Sequence, residues 1–212
     1  MTVTNGLCTQ ASLRAYLGLQ PTGDPSRDAL LDDSINAASR AIEDYCGRHF
    51  YDSGAATART FAPTDSHLLL VDDFSTTTGL VVKTDENDDG TYEITWTSSD
   101  YELDTTVADG ITGWPYRAIR AVGDYTFPLP AGRLLRRYTV QVTARWGWAA
   151  VPEPVRQATL QVAAELYRRK DAPFGISAVS EFGPLRISAD SMRAVSSLLA
   201  NYRRASNTFG MA

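Results

Sequence analysis

The chain has 212 residues, 43% apolar and 21% charged, with a formal net charge of −5. That length buries a core as one domain or as two small packed lobes, and that balance excludes wholesale disorder. No apolar run approaches the ~20 residues of a bilayer-spanning helix, and Met1-Thr-Val-Thr-Asn-Gly-Leu lacks the basic and apolar regions of a secretory signal, so neither a membrane nor export is expected.

Beginning at the N-terminus, residues 12–17 read as a short helix. Leu13, Tyr16 and Leu17 mark its face, Thr9 is a cap, and Gly18 with Pro21 ends it. Asp24 then caps a longer helix with Pro25 at its first position, where a missing N–H is harmless. Leu31, Ile35, Ala38, Ile42 and Tyr45 recur at the 3.6-residue period, and Gly47 stands where a left-handed C-cap belongs. From about Phe50 the period falls to two. Residues 67–71, 80–83, 92–96, 119–122 and 138–146 are the strand candidates, and 104–116 an irregular loop. In the last strand Tyr138, Val140, Val142, Ala144 and Trp146 face one way, and Thr139, Gln141, Thr143 and Arg145 the other. Close-spaced strands with one packed and one wet face predict a small antiparallel sandwich or barrel-like lobe.

Helix returns after Pro152 or Pro154, with Val155, Thr159, Val162 and Leu166 as its buried stripe. Glu153 and the run Arg168-Arg-Lys170 suit the two ends of its dipole. Past Pro173 the chain loosens through 175–183, Leu185-Arg-Ile187 reads as extended, and a final helix opens near Ser188 or Asp190. Met192, Val195, Leu199 and Tyr202 supply its stripe and Arg203-Arg204 close it. The fold class is therefore α+β: helices at both ends (1–50 and 150–212) form a bundle around an inserted, mostly antiparallel β lobe at 51–149.

Charge is segregated along the chain. Residues 72–110 hold Lys83 against eleven acids, whereas residues 111–212 hold fourteen basic and six acidic side chains. A basic C-terminal half fits an acidic partner or DNA phosphates equally well. The two cysteines, Cys8 and Cys46, have no C-x-x-C spacing and read as small buried thiols of a reducing compartment. Asp85-Glu-Asn-Asp-Asp-Gly90 matches the first half of a calcium loop, but position twelve, where a bidentate glutamate belongs, is Trp96. A hairpin turn between 80–83 and 92–96 accounts for the same residues. His49 and His67 have no second ligand at metal spacing. The pairs Asp32-Asp33 and Asp72-Asp73 diverge in a helix or strand, whereas acid–base work needs carboxylates that converge. Neither an enzyme nor a cofactor is expected. Trp114, Tyr116, Trp146 and Trp148 offer a sugar-stacking face or, more simply, a packed core.

Three stretches carry a resemblance. Ala38-Ser-Arg-Ala-Ile-Glu-Asp-Tyr-Cys-Gly-Arg-His-Phe-Tyr51, Val142-Thr-Ala-Arg-Trp-Gly-Trp-Ala-Ala-Val-Pro-Glu-Pro-Val-Arg-Gln-Ala158 and Ser180-Glu-Phe-Gly-Pro-Leu-Arg-Ile-Ser188 resemble, in this order, the head-to-tail adaptor (head–tail connector) proteins of long-tailed bacteriophages. The likeness covers both ends and lapses in the acidic middle. It implies a structural protein of the virion neck, assembled in the host cytoplasm as a dodecameric ring beneath the portal protein. Such a ring passes the genomic DNA without reading its sequence and hands over to a stopper or tail-completion protein. It also implies docking on the portal through the C-terminal segment. The residues expected there are Phe182, Leu185 and Ile187 in pockets, Arg186 against acids, and Tyr202, Arg203 and Arg204. An extended piece between glycines suits strand addition to a partner, and an internal hairpin between two helices fits the same residues. A lumen that lets DNA slide should be acidic or neutral, drawn from residues 72–110 or 28–44. Two other readings stand beside this one: a stopper or tail-completion protein, and a β-type carbohydrate or receptor recognition module.

Overall fold

The computed structural model describes residues 2–20, 24–104, 114–129, 138–169, 179–180, 183–184 and 190–204. It is α+β, with helices from both ends of the chain packed together and antiparallel sheets inserted between them. Contacts divide it into two compact units, residues 1–50 with 151–212, and residues 51–150.

The helical unit holds α1 (Gln10–Leu17), α2 (Pro25–Cys46), α3 (Glu153–Arg169) and α4 (Asp190–Leu199), followed by a 3-10 turn at Ala200–Tyr202. The Thr9 side chain accepts from Ser12 N–H, and Gly18 closes α1 in the left-handed region. α1 begins two residues earlier than its sequence pattern. Of the expected Leu13–Tyr16–Leu17 face, Leu13 is fully buried and Leu17 half-buried, but Tyr16 is 47% exposed. Arg14 is buried in its stead, its charge met by an ion pair with Asp28 of α2. α2 is as its sequence reads. Asp24 accepts from the N–H groups of Ser26 and Arg27, Pro25 opens the helix, and Gly47 ends it at φ 65°. Leu31, Ile35, Ala38 and Ile42 are fully buried. They face α3, whose Val155, Ala158, Thr159 and Ala163 are likewise buried. Val195 and Leu199 of α4 close the same core. At ~1.5–3 kcal/mol for each large apolar side chain buried, this interface is what makes two distant chain segments one unit.

The inserted unit is a sandwich of two antiparallel sheets. Its strands are β1 (Thr57–Phe61), β2 (Leu68–Phe74), β3 (Val81–Thr84), β4 (Ile94–Thr95), β5 (Tyr101–Asp104), β6 (Tyr116–Ala121) and β7 (Val140–Ala144). One sheet runs β1-β7-β3-β4 and the other β2-β6-β5, with a single bridge, Phe74 to Trp146, between them. The shared core comprises Leu69, Val71, Phe74, Val82, Trp96, Ile119, Phe127, Val140, Val142 and Trp146. β7 keeps its expected alternation, with Val140, Val142, Ala144 and Trp146 buried, but Tyr138 lies outside the strand at 60% exposure. The expected strand at 92–96 shrinks to two residues, although Trp96 N–H still donates to Val82 C=O at 2.9 Å and its ring stacks on Phe127 at 4.7 Å. β1 and β5 have no counterpart in the sequence reading. Residues 105–113, most of the expected irregular loop, lie outside the described residues. A third, minimal pairing joins β8 (Val179–Ser180) to β9 (Gly183–Pro184) as an antiparallel pair.

Candidate interaction surfaces

The chain enters and leaves the inserted unit side by side. Arg145 forms a two-pronged ion pair with Asp52, Nε to Oδ1 at 2.7 Å and a terminal nitrogen to Oδ2 at 2.5 Å. Ser53 N–H donates to Trp146 C=O at 2.9 Å, and Trp146 N–H donates to Ser53 Oγ at 2.9 Å. Gly147 then runs so close to Tyr51 that a Cβ would lie 1.7 Å from its carbonyl oxygen, and its φ is +99°. Gly147 N–H donates to Asp73 C=O at 2.6 Å, and the Trp148 indole donates to Asp73 Oδ2 at 3.2 Å. The Arg145 hydrogen bond holds the Asp52 carboxyl below its usual range. The pair also walls an open cleft lined by Ala56, Ser75, Thr76 and Gly79, where its opposite charges neutralise each other. Asp72 and Asp73 do diverge: Asp72 pairs with Arg59 at 2.6 Å, while Asp73 turns inward to Trp148.

The half calcium motif is a hairpin turn. Asp85 is 1% exposed, and its two carboxylate oxygens accept from Asp89 N–H at 3.2 Å and Gly90 N–H at 2.7 Å. Asp88 at φ 61° and Gly90 at φ 96° supply the left-handed geometry that joins β3 to β4. The Asp89 and Glu93 carboxylates lie within 4.8 Å of Asp85's. Since both Asp85 oxygens already serve the backbone and Trp96 is in the core, the geometry is that of a turn.

Near the C-terminus of α2, Glu43 is 3% exposed. Its carboxylate accepts from Phe50 N–H at 3.1 Å and meets His49 Nδ1 and Arg40, each at 3.2 Å. The half-exposed His49 ring thus partners a buried carboxylate. Three of the expected docking residues are described, and all three pack against this corner. Tyr202 meets Phe50 edge-on at 6.1 Å, the Arg203 guanidinium sits 4.8 Å from the centre of the Tyr45 ring, and Arg204 N–H donates to Cys46 C=O at 2.7 Å. α2 has no basic residue in its own last turn, so these arginines bring positive charge to its negative end. Phe182, Leu185, Arg186 and Ile187 lie outside the described residues.

Both cysteines are free and buried. Burial pushes the Cys8 thiol up to about 11 against the nearby Arg156 charge, and the Cys46 thiol up to about 11 against Arg48 and Arg203. The tryptophans pack inward. Trp146 and Trp148 are 2% and 3% exposed, the Trp146 indole donates to Thr57 C=O at 2.8 Å, and Trp114 lies 4.9 Å from Trp148. Trp146 and Trp148 thus serve the core, while Trp114 and Tyr116 are half-buried. Sequence reasoning missed Asp52, Asp73 and Gly147. The one available signal was a glycine between two tryptophans at the end of a strand pattern, which marks close backbone approach.

No protein-family model matches this sequence, and no curated protein matches it. Solved structures do. The chain aligns over 100% of its length with 97% of a chain from the neck of an empty GTA particle computed with C6 symmetry, at a TM-score of 0.57 and 20% identity. It aligns over 99% of its length with 96% of a chain from the virion of a native gene transfer agent (GTA) particle, at a TM-score of 0.50 and 21% identity. The likeness at this identity is one of fold: the helices and the inserted lobe together make up the shared architecture.

Proposed function

We propose that this chain is a structural, non-enzymatic component of the neck of a phage-like particle, and within the neck the adaptor that joins portal to tail. The observation that carries the reading is the end-to-end fold likeness to a neck chain, 100% of one against 97% of the other. The adaptor-like stretches at 38–51, 142–158 and 180–188 point the same way. The chain works as a ring of identical copies, continuing the DNA conduit between the portal protein above and a stopper or tail-completion protein below. Twelve copies are compatible with the sixfold symmetry applied to the neck of the GTA particle. A ring requires head-to-tail contacts between two different faces of each subunit.

In this reading the segment ending in Phe182, Leu185, Arg186 and Ile187 docks on the portal. Tyr202, Arg203 and Arg204, packed on the C-terminus of α2, fix the end of α4 that follows it. Mass spectrometry and imaging of purified particles test the location, with this chain expected in the neck; its absence from particles would end the proposal. Pull-down on the portal protein, with and without residues 177–188, tests the docking. Loss of binding on deletion is the expected result, and retained binding would refute the docking segment alone.

A further inference from the structure

Residues 2–8 are an arm tied to α2. Thr4 N–H donates to Asn36 Oδ1 at 3.0 Å, Asn36 Nδ2 to Thr2 C=O at 3.2 Å, and Leu7 N–H to Ser39 Oγ at 3.0 Å. The Arg40 guanidinium donates to Asn5 C=O at 2.8 Å. Leu7 and Cys8 end the arm at 2% and 5% exposure.

Within this tied arm the Asn5-Gly6 pair is chemically open. Asn5 is exposed and sits at φ 48°, in the left-handed region that residues other than glycine seldom hold. Among the described residues, neither its side-chain amide nor the Gly6 N–H makes a hydrogen bond. Gly6 has no side chain to hinder approach to its nitrogen. Packing keeps it so, since a Cβ there would overlap the Val3 side chain and lie 3.1 Å from Ile35. Joining the Gly6 nitrogen to the amide carbon of Asn5 makes a five-membered imide. Elsewhere the same chemistry is blocked. Asp89-Gly90 is a comparable pair, yet Gly90 N–H donates to Asp85 Oδ2 at 2.7 Å and Asp89 Oδ1 accepts from Thr91 N–H at 2.7 Å. Asn36 is held through both Oδ1 and Nδ2, and Asn87 Oδ1 accepts from Asp89 N–H at 3.1 Å.

We infer that Asn5 is a site of spontaneous modification in the folded chain, losing its side-chain amide with water as the only co-reactant. The Gly6 nitrogen gives up its proton to solvent hydroxide and attacks Asn5 Cγ. An N–Cγ bond forms, the Cγ–Nδ2 bond breaks, and Nδ2 takes up a proton and leaves as ammonia. Water then opens the imide at one of its two carbonyls. Breaking the new N–Cγ bond gives aspartate; breaking the original peptide bond gives isoaspartate, in which the chain continues through the side chain. Either product puts a new negative charge on the residue whose carbonyl Arg40 holds. The isoaspartyl form also adds a backbone carbon between Thr4 and Leu7, which are tied to Asn36 and Ser39 on one rigid helix. Gly6 is closed in by Val3 and Ile35 and cannot take up the extra length, so the arm loosens from α2 and uncovers Cys8. The reaction needs no partner and holds whichever role the chain has in a neck.

The test is incubation of the full chain at neutral and mildly alkaline pH, with and without urea, followed by peptide mapping over time. Asn5 should convert first among the asparagines, at a rate that rises with hydroxide. In the native chain that rate should stay within about tenfold of the rate in urea, because the reacting groups need no opening to become free. Asn5→Gly suits the left-handed φ and should leave the mass of that peptide unchanged. Asp89 should isomerise only in urea. The isoaspartyl fraction, separated by its charge, should label at Cys8 faster than the fresh chain. A native rate further below that in urea, or another asparagine converting first, would overturn the site. Equal labelling of Cys8 would overturn the loosening of the arm.

Discussion

Gly147 is the position where one added carbon tests the reasoning about how the inserted lobe is held. A Cβ there would stand 1.7 Å from the Tyr51 carbonyl oxygen and 2.8 Å from its carbon, both backbone atoms. The φ of +99° lies where an L-residue is strained by ~1–3 kcal/mol. Relieving the overlap means separating the strands at the Ser53–Trp146 pair, whose two hydrogen bonds contribute ~1 kcal/mol each. Gly147→Ala should therefore cost about 3–5 kcal/mol, a large part of the ~5–15 kcal/mol that holds an ordinary protein folded. For a chain of this size that lowers the melting temperature by roughly 10 °C or more. Gly90 is the control: its φ of +96° is nearly the same, yet nothing lies within 4 Å of a Cβ built there. Gly90→Ala should show the backbone strain alone. Urea titration and calorimetry of both variants give the difference, which measures the close approach. Equal losses for the two alanines would refute the idea that Gly147 is required by its neighbour.

The thiols and the hairpin give two more expectations. Cys8 and Cys46 ionise near 9.0 when unfolded and near 11 in the fold, so their contribution to stability should be constant below about pH 9 and be lost as pH rises through that window. Both thiols should react with a thiol reagent only as fast as the chain opens at neutral pH; rapid labelling of the native protein would contradict their burial. Calcium should leave the melting temperature unchanged, while Asp85→Ala should cost about 2–3 kcal/mol of stability as two backbone N–H groups lose their acceptor. A calcium-dependent rise in melting temperature would reverse that assignment.

The helices were legible because their signals are local. Thr9, Asp24, Gly18 and Gly47 cap by their own chemistry, and the stripe from Leu31 to Ile42 needs no partner to be seen. Tyr16 misled because the buried Arg14, paired with the half-buried Asp28 across the helices, took the place an apolar residue was expected to fill. β1 was invisible for a related reason: Thr57-Ala-Arg-Thr-Phe61 is an edge strand with no fully buried residue, so no alternation marks it. The inward direction of Trp146 was legible from strand parity, but the acceptors of Trp146 and Trp148, at Thr57 and Asp73, lie 89 and 75 positions away and were not. The Asp52–Arg145 clamp spans 93 positions and left no pattern at all. Ile94 and Tyr138 are likewise exposed, although strand periodicity predicts both as core.

The pinched base of the lobe bears on how the protein reaches its fold. α2 and α3 must meet across the 100 residues from Tyr51 to Ala150, and closing so long a flexible loop slows any pairing of distant segments. Once the lobe has formed, Asp52 and Arg145, Ser53 and Trp146, and Tyr51 and Gly147 are already neighbours. The remaining gap is then a few residues, which lowers the closure entropy by about 2–3 kcal/mol on a logarithmic dependence on loop length. If the sandwich forms first on its own contacts, it should act as a non-covalent staple that brings the ends of α2 and α3 within a few residues of each other. Stopped-flow refolding should accordingly show lobe tryptophan burial no later than the gain of full helix content, and slowing the first by Gly147→Ala should slow the second with it.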